Sequence, residues 1–148
     1  MDLETISPED FGASLRGLGL NLLVASVRDE ATFLTQVLDM ATHRVTDDFA
    51  ILMYGSQIMQ LHADPTYASH PLFTLLPENP PRGLGASLHA FETDPDVAHA
   101  KAEAGGGVVL QEPTNKPHGL RETCILSPMG YAWVASRPLT VSEREDLG

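Results

Sequence analysis

The chain of 148 residues has a single cysteine, few basic residues and no long apolar run. Cys124 alone cannot form an internal disulfide, and such cysteine usage is typical of reducing compartments. No apolar run approaches the ~18 residues of a membrane-spanning helix. The acidic start, MDLETISPED, also lacks the basic and apolar regions of a signal peptide. We therefore expect a cytoplasmic protein with no membrane partner.

Basic side chains are scarce. Nine Lys and Arg stand against twenty Asp and Glu, and the net charge is −11. A chain of this charge repels the nucleic-acid backbone, and no basic stripe offsets the repulsion. We therefore expect no nucleic-acid partner. The acidic surface favours solubility, and it also offers a means of concentrating a cationic ligand.

Two stretches of the chain share one pattern. GLGLNLLVASVRDEA at 17–31 and GLGASLHAFETDPDV at 83–97 each begin like a buried strand and end like the start of a helix. They match without a gap at an offset of 66 residues, and three strand-like segments follow each. We interpret the chain as one domain, 1–148, with an internal duplication. The first module is 17–63, a proline-rich linker is 64–82, and the second module is 83–138.

Capping residues, hydrophobic periodicity and turn residues predict the individual elements. The predicted helices are 7–16, 28–40, 94–106 and 140–147, and the predicted strands are 18–26, 42–48, 49–55, 57–63, 83–92, 107–112, 120–127 and 131–137. A loop is predicted for 113–119. Five prolines in the linker prevent both a helix and a central strand there.

The duplicated unit indicates the fold class. One β-α-β-β-β unit cannot cover its own apolar face, but two related units can curl their sheets into a shared half-barrel. The prediction is an α+β protein with two tandem β-α-β-β-β modules, eight strands in all, and helices outside. A curled sheet of this kind encloses a concave cup, which is a common place for a ligand site.

The same residues resemble a known family. The segment FETDPDVAHAKAEAGGGVVLQEPTNKPHGLRETCILSPMGYAWVAS, with the paired modules over about 17–138, is similar to the vicinal oxygen chelate superfamily. That superfamily includes glyoxalase I, bleomycin-resistance proteins and extradiol dioxygenases, so the fold hosts several chemistries. In the bleomycin-resistance branch two chains make a dimer with shared pockets. The resemblance therefore implies a homodimer.

The resemblance also implies where metal ligands would lie. Metal enzymes of the family carry ligands on the first and last strand of each module. Here Asn21 and Ser87 occupy the first-strand positions, while Gln60 and Val134 occupy the last-strand positions; Val134 is the fourth residue after Gly130. None of these four side chains is a carboxylate or an imidazole, which divalent cations require. We therefore expect no metal and no cofactor.

Strand alternation adds further residues to the cup. His89 shares a face with Ser87, and His62 shares a face with Gln60. His89 is interpreted as pocket lining; a structural or exposed role, or a shifted metal site shared with His62, are the alternatives. Arg121 either holds an anionic group in the cup by its planar fork or forms an ion pair at the strand end. The full predicted ligand-binding set is Asn21, Gln60, His62, Phe73, Ser87, His89, Arg121 and Val134.

Three functions fit these observations. The preferred hypothesis is metal-free binding of a small organic molecule in the cup, as in bleomycin-resistance-type sequestration, without catalysis. The alternative is a metal-dependent lyase or oxidoreductase of the glyoxalase or dioxygenase type, with ligands shifted to His62 and His89. A third possibility is an interaction subunit or metabolite sensor. The sequence favours a binding protein over an enzyme and does not identify the ligand.

Overall fold

The structure is a computed structural model that describes residues 1–148. Its elements are α1 Pro8–Ser14, β1 Leu20–Val24, α2 Val27–Leu38, β2 Ala41–His43, β3 Phe49–Tyr54, β4 Gln57–Ala63, β5 Ser87–Ala90, α3 Pro95–Lys101, β6 Val108–Asn115, β7 Leu120–Leu126, β8 Ala132–Pro138 and α4 Val141–Asp146. Two short 3-10 turns, Asp64–Tyr67 and Phe73–Leu75, lie in the proline-rich segment. None of the helices has the length and apolar character needed to cross a bilayer.

The eight strands form two sheets with the same internal order. The first sheet runs β1-β4-β3-β2 and the second runs β5-β8-β7-β6. In each, the first strand pairs parallel with the last, and the other neighbours are antiparallel. This repetition confirms the α+β class and the tandem β-α-β-β-β modules. The sheets curl without closing into a barrel.

The helices begin at the expected caps. Ser7 accepts from the Asp10 N–H at 3.1 Å at the start of α1, and Asp94 accepts from the Asp96 N–H at 2.9 Å at the start of α3. Such side-chain acceptors satisfy backbone donors that the first helical turn leaves free. Thr140 and Glu143 form a capping box at α4.

Helix α3 is shorter than the prediction of 94–106. It ends at Lys101 because the following glycine-rich turn packs closely against α2. A Cβ built on Gly107 would lie 2.7 Å from the Phe33 ring, and one on Gly105 would lie 2.6 Å from Val37. The glycines are therefore needed for this close approach, and they do more than stop the helix.

Several strand boundaries also differ from prediction. β2 ends at His43 instead of at 48, where the left-handed conformation of Arg44, with φ 48°, interrupts the extended chain. β5 begins only at Ser87, since Gly83 lies against the Tyr131 ring, where a Cβ would be 2.3 Å from Cδ1. β6 continues to Asn115, through part of the predicted loop 113–119. Its pairing with β7 shifts register twice, and this irregularity lets Thr114 pair with Glu122 beyond the expected end.

One hydrophobic core serves both modules. It packs α2 and α3 against one face of each sheet, and Phe33, Leu52 and Ile125 are fully buried in it. Trp133 belongs to this core and Tyr131 packs against it, so both face the helices as strand alternation predicts. The residues between them along each strand point to the opposite, concave face.

The concave faces of the two sheets differ in exposure. On the first sheet Leu23 and Ile51 are buried, and α1 covers Phe49 through Phe11, with ring centroids 6.2 Å apart. On the second sheet Ser87 and His89 are exposed. The first concave face is therefore covered by the protein itself, while the edge strand of the second is open.

Several hydrogen bonds join the modules and the linker outside the core, including those of the Tyr54 hydroxyl with Thr93 Oγ1 at 2.7 Å and with the Glu92 N–H at 2.9 Å. The Met129 N–H donates to Glu30 Oε1 at 2.7 Å, from the β7–β8 turn to α2. The carbonyl of Leu23 on β1 accepts from the Tyr131 hydroxyl at 2.8 Å and from Arg82 Nη1 at 3.1 Å. Arg82 also pairs with both oxygens of Asp64, at 2.5 and 2.6 Å.

Candidate functional site

A cavity of about 970 Å³ lies between the two modules. Its wall combines the segment before β1, the start of β4, the whole of β5 and the helix-facing side of β8. The lining residues are Ser14, Leu15, Arg16, Gly17, Leu18, Gly19, Leu20, Met40, Tyr54, Ser56, Gln57, Ile58, Met59, Gln60, Ser87, Leu88, His89, Ala90, Phe91 and Trp133. Its volume falls within the range of small-molecule sites, roughly 300–1,000 Å³.

The lining is largely apolar and nearly uncharged. Eleven of its twenty residues are hydrophobic, with Met59, Leu88 and Trp133 contributed by the core-facing sides of the strands. Arg16 is the one charged residue of the lining. Its Nη1 already donates to the carbonyls of Ala13 and Leu15, at 2.7 and 2.8 Å. The cavity therefore suits an apolar molecule that carries a few polar groups.

Three polar side chains of the lining come from β4, an inner strand of the first sheet, and from β5, the edge strand of the second. Gln60 lies on β4, and Ser87 and His89 lie on β5; all three line the cavity. Ser87 Oγ and His89 Nε2 form a hydrogen bond of 2.9 Å, and the His89 ring stacks on Phe91 with centroids 5.3 Å apart. These side chains can hydrogen bond a ligand without adding charge.

Asn21 and His62 lie on the concave face of the first sheet, outside the cavity. Nε2 of His62 hydrogen bonds to Gln60 Oε1 at 3.1 Å, so His62 helps to fix a side chain that lines the cavity. Burial lowers the pKa of the His62 imidazole, which favours its neutral form. Asn21 donates its side-chain amide to the hydroxyl of Tyr67 in the linker.

Three further predicted residues do not reach the cavity. Val134 is buried on the concave face of β8, and Phe73 lies half-exposed in a linker 3-10 turn. Arg121 faces α3: its Nε and Nη2 donate to the two Asp96 oxygens at 2.8 Å each, and Nη1 donates to Asn115. The hydrogen bonds from Arg121 lower the pKa of the Asp96 carboxyl. The ion-pair alternative therefore describes Arg121, and the cup-facing one does not.

The strand register alters the expected correspondence between the modules. Asn21 lies opposite Gln60, whereas Ser87 lies opposite Ala132 and Val134 lies opposite His89. The partner of Val134 is thus His89, two residues beyond the position that the 66-residue offset assigns.

The family's metal chemistry can be tested against these donors. The first module offers two side-chain amides and the second offers a hydroxyl, an imidazole and an aliphatic side chain. No group of three His, Cys, Asp or Glu side chains lies close enough together to hold a metal ion. A set without a carboxylate and with a single imidazole does not fit a divalent cation.

Several cavity residues were missed from the sequence. The predicted ligand-binding set contains neither the segment Leu15–Gly19 nor Trp133, and both line the cavity. Trp133 is indeed buried, yet it also forms part of the cavity wall, and its indole N–H has no hydrogen-bond partner. The repeated GLG at 17–19 and 83–85 was the sequence signal that could have indicated this part of the wall, because its first copy precedes the strand at the cavity edge.

A second, more polar depression of about 640 Å³ adjoins the cavity. The two share Tyr54, Ser56, Gln57, His89 and Phe91. The second depression adds three acidic side chains and one basic side chain, namely Asp39, Glu92, Asp94 and Lys101. A ligand that extends past the stacked pair of His89 and Phe91 would meet a net negative charge.

Paired β-α-β-β-β modules with a cavity between them define a class of protein seen in several solved structures. A glyoxalase/bleomycin resistance protein/dioxygenase family enzyme from Burkholderia phytofirmans PsJN aligns with a TM-score of 0.67 at 16% identity, covering 94% of this chain and 100% of that one. A hypothetical protein from S. aureus aligns at 0.66 and 17% identity, covering 86% and 98%. A glyoxalase-related enzyme from Fulvimarina pelagi aligns at 0.66 and 13% identity, covering 86% and 94%. Identities this low establish a shared fold alone.

Membership of a family rests on the sequence itself. The model of the Glyoxalase/Bleomycin resistance protein/Dioxygenase superfamily matches residues 19–135. The chain belongs to this superfamily, which confirms the resemblance drawn from its motifs. No curated protein sequence matches the chain.

Proposed function

We propose that the protein binds a small organic molecule in the cavity between its modules and does so without a metal ion. The observation that carries this proposal is the cavity of about 970 Å³, with its apolar floor and its uncharged polar rim of Gln60, Ser87 and His89. Burial of apolar ligand surface would supply most of the affinity, at roughly 25 cal/mol per Å². The rim residues would orient the ligand by hydrogen bonds.

The charge around the cavity favours one ligand class. The adjoining depression carries Asp39, Glu92 and Asp94 against the single Lys101, and the whole chain carries a net charge of −11. An aromatic or aliphatic molecule with a cationic end fits this distribution. Sequestration of such molecules is the activity of the bleomycin-resistance branch, and we propose the same activity for this protein.

One substitution is designed to obstruct the cavity. Gly19 lines it, and a Cβ at Gly19 would meet no atom within 4 Å, so Gly19→Phe puts a ring into open space. Gly85→Phe is the matched control, since Gly85 is equally unobstructed and lies outside the cavity lining.

The assay is a thermal-shift screen of cationic aromatic antibiotics. At a hundredfold excess over Kd, a ligand stabilises the folded protein by ~2.7 kcal/mol. We expect this stabilisation for wild type and Gly85→Phe and its loss in Gly19→Phe. No stabilisation of the wild type by any member would overturn this ligand class, and equal stabilisation of all three proteins would overturn the cavity as the site.

The second candidate is a metal-dependent lyase or oxidoreductase that uses His62 and His89. It is favoured by one observation, the position of His89 opposite Val134, where the family's closing ligand lies. Elemental analysis of protein purified without chelator separates the candidates. Metal at close to one equivalent, lost in His89→Ala, would support the enzyme and contradict metal-free binding.

The assembly is also part of the proposal. We infer a homodimer, because the open edge of the second sheet exposes Phe91 and its neighbours to solvent. Sedimentation of the purified chain tests this, and a monomer at micromolar concentration would contradict it. A cytoplasmic location is proposed from the single cysteine.

A further inference from the structure

The concave face of the first sheet holds an aromatic ring that comes from the linker. Tyr67 lies over Asn21 and His62: the Asn21 amide donates to its hydroxyl, and the His62 ring centroid is 5.5 Å from its own. The His70 ring covers its other side, with centroids 4.7 Å apart. Asn21, Phe49 and His62 form a surface that is called the half-cup below, and the Tyr67 ring lies on it.

The receiving surface is rigid. Asn21 and His62 lie on paired strands, and Phe49 packs on His62 with ring centroids 4.9 Å apart. Gln60 fixes His62 from the other side at 3.1 Å. The Asn21 Oδ1 atom is buried and has no hydrogen-bond partner, so the half-cup holds one polar group that Tyr67 does not satisfy.

Asp64, at the start of the segment that supplies Tyr67, is held by Arg82, but the chain beyond it has few buried contacts. Neither of its 3-10 turns contains a buried residue, and Leu72, Phe73 and Leu75 are exposed. Segments with few buried contacts open at low free-energy cost. The phenol of Tyr67 thus lies on a surface that hydrogen bonds to its hydroxyl and contacts its ring.

We propose that the half-cup is a binding site for a monocyclic phenol and that Tyr67 is its resident, displaceable occupant. A phenol that enters the site would accept from the Asn21 amide and meet the His62 ring edge to face, as Tyr67 does, while Tyr67 and the chain after Asp64 move away. Resident Tyr67 lowers the apparent affinity by the fraction of chains in which the site is open. None of the half-cup residues lines the cavity, although His62 hydrogen bonds to Gln60, which does, so the test below includes a cavity control.

The test uses p-cresol, which is the Tyr side chain without its backbone. In Tyr67→Ala the site is vacated, and we expect isothermal titration to give p-cresol an affinity about tenfold or more above that for the wild type. Toluene, which lacks the hydroxyl, should bind that variant about three- to tenfold more weakly than p-cresol. The same loss is expected for p-cresol when Asn21→Leu is added.

Controls separate the half-cup from the cavity and from the linker in general. Phe73→Ala removes another linker ring and should leave p-cresol affinity at the wild-type value. Gly19→Phe fills the cavity and should not alter it either, so failure of the cavity proposal would leave this result intact. Equal affinity of wild type and Tyr67→Ala for p-cresol would overturn the proposal.

Displacement in the unaltered chain is read separately. Wild type labelled with 3-fluorotyrosine has three fluorine signals for its three tyrosines, and Tyr67→Phe identifies the one from Tyr67. Saturating p-cresol should move that signal to the position of an exposed tyrosine and leave the other two in place. A Tyr67 signal that stays unchanged at saturation would overturn the displacement, whether or not Tyr67→Ala folds.

Discussion

Glu30 is a carboxylic acid in the interior of the protein, at the place where the modules meet. Its side chain is fully buried on α2, one oxygen accepts the Met129 N–H, and the other has no partner. Burial raises the pKa of the carboxyl to about 7, against 4.5 for the free group, and the bond from Met129 offsets this only in part. The junction therefore exchanges a proton near neutral pH.

This proton exchange makes stability depend on pH in a definite direction. Below about 4.5 the carboxyl is neutral in both the folded and the unfolded chain, so its burial carries no charge penalty. Between about 4.5 and 7 the unfolded chain releases this proton while the folded chain keeps it, so the free energy of unfolding falls by about 3 kcal/mol and levels off once the folded carboxyl also ionises. Glu30→Gln keeps an acceptor for Met129 and removes the titration.

Urea unfolding of wild type and Glu30→Gln at pH 5 and pH 8 checks this expectation. From pH 5 to pH 8, the free energy of unfolding of Glu30→Gln should rise relative to that of the wild type by about 2 kcal/mol or more. All other titrating groups are common to both proteins and cancel in the comparison. Parallel stability curves would contradict the assignment of the titration to Glu30.

At the scale of strands and helices, the end of the linker acts as a clasp on β1. The Arg82 side chain is almost fully buried. It donates to Asp64 and to the Leu23 carbonyl, which also accepts from Tyr131. The guanidinium of Arg82 donates to several acceptors at once, so it fixes Asp64, Leu23 and its own segment relative to one another. The clasp ties the C-terminal part of β1 to the linker and, through the shared Leu23 carbonyl, to Tyr131 of the second module.

Removing the clasp should therefore destabilise the fold. Arg82→Ala leaves a partly buried Asp64 without its partner, and we expect a loss of about 2–4 kcal/mol in the free energy of unfolding. Arg28→Ala is the matched control, because its pair with Asp47 is largely exposed and should be worth less than about 1 kcal/mol. Chemical denaturation measures both, and equal losses would refute the clasp.

Element order and strand faces were predictable because both follow from short-range periodicity. Alternation alone placed Gln60 with His62 and Ser87 with His89 on common faces, and it turned Trp133 inward. Arg121 was ambiguous because its partner Asp96 comes from α3, and the rotation of a helix over a sheet is not encoded in the strand. The match of His89 with Val134 was also missed, since register depends on contacts distant in sequence.

In the molecule as a whole, the cavity and the core share part of their residues. Both modules contribute to each, and the single tryptophan, Trp133, belongs to both. Sequence periodicity assigns such a residue to the core because apolar side chains look alike in a core and in a cavity wall. The modules are joined by contacts at Glu30, Arg82 and Tyr131, and no local pattern reveals how they are placed against each other.

This double position makes Trp133 a reporter that distinguishes the two proposed sites in one experiment. A ligand in the cavity touches the wall that contains the indole, so it should change the intensity or wavelength of tryptophan emission in wild type and Gly85→Phe but not in Gly19→Phe. Displacement of Tyr67 by p-cresol occurs on the concave face of the other sheet and should leave tryptophan emission unchanged. A p-cresol-induced change that Gly19→Phe abolishes would show that the phenol enters the cavity, and the two sites would then be one.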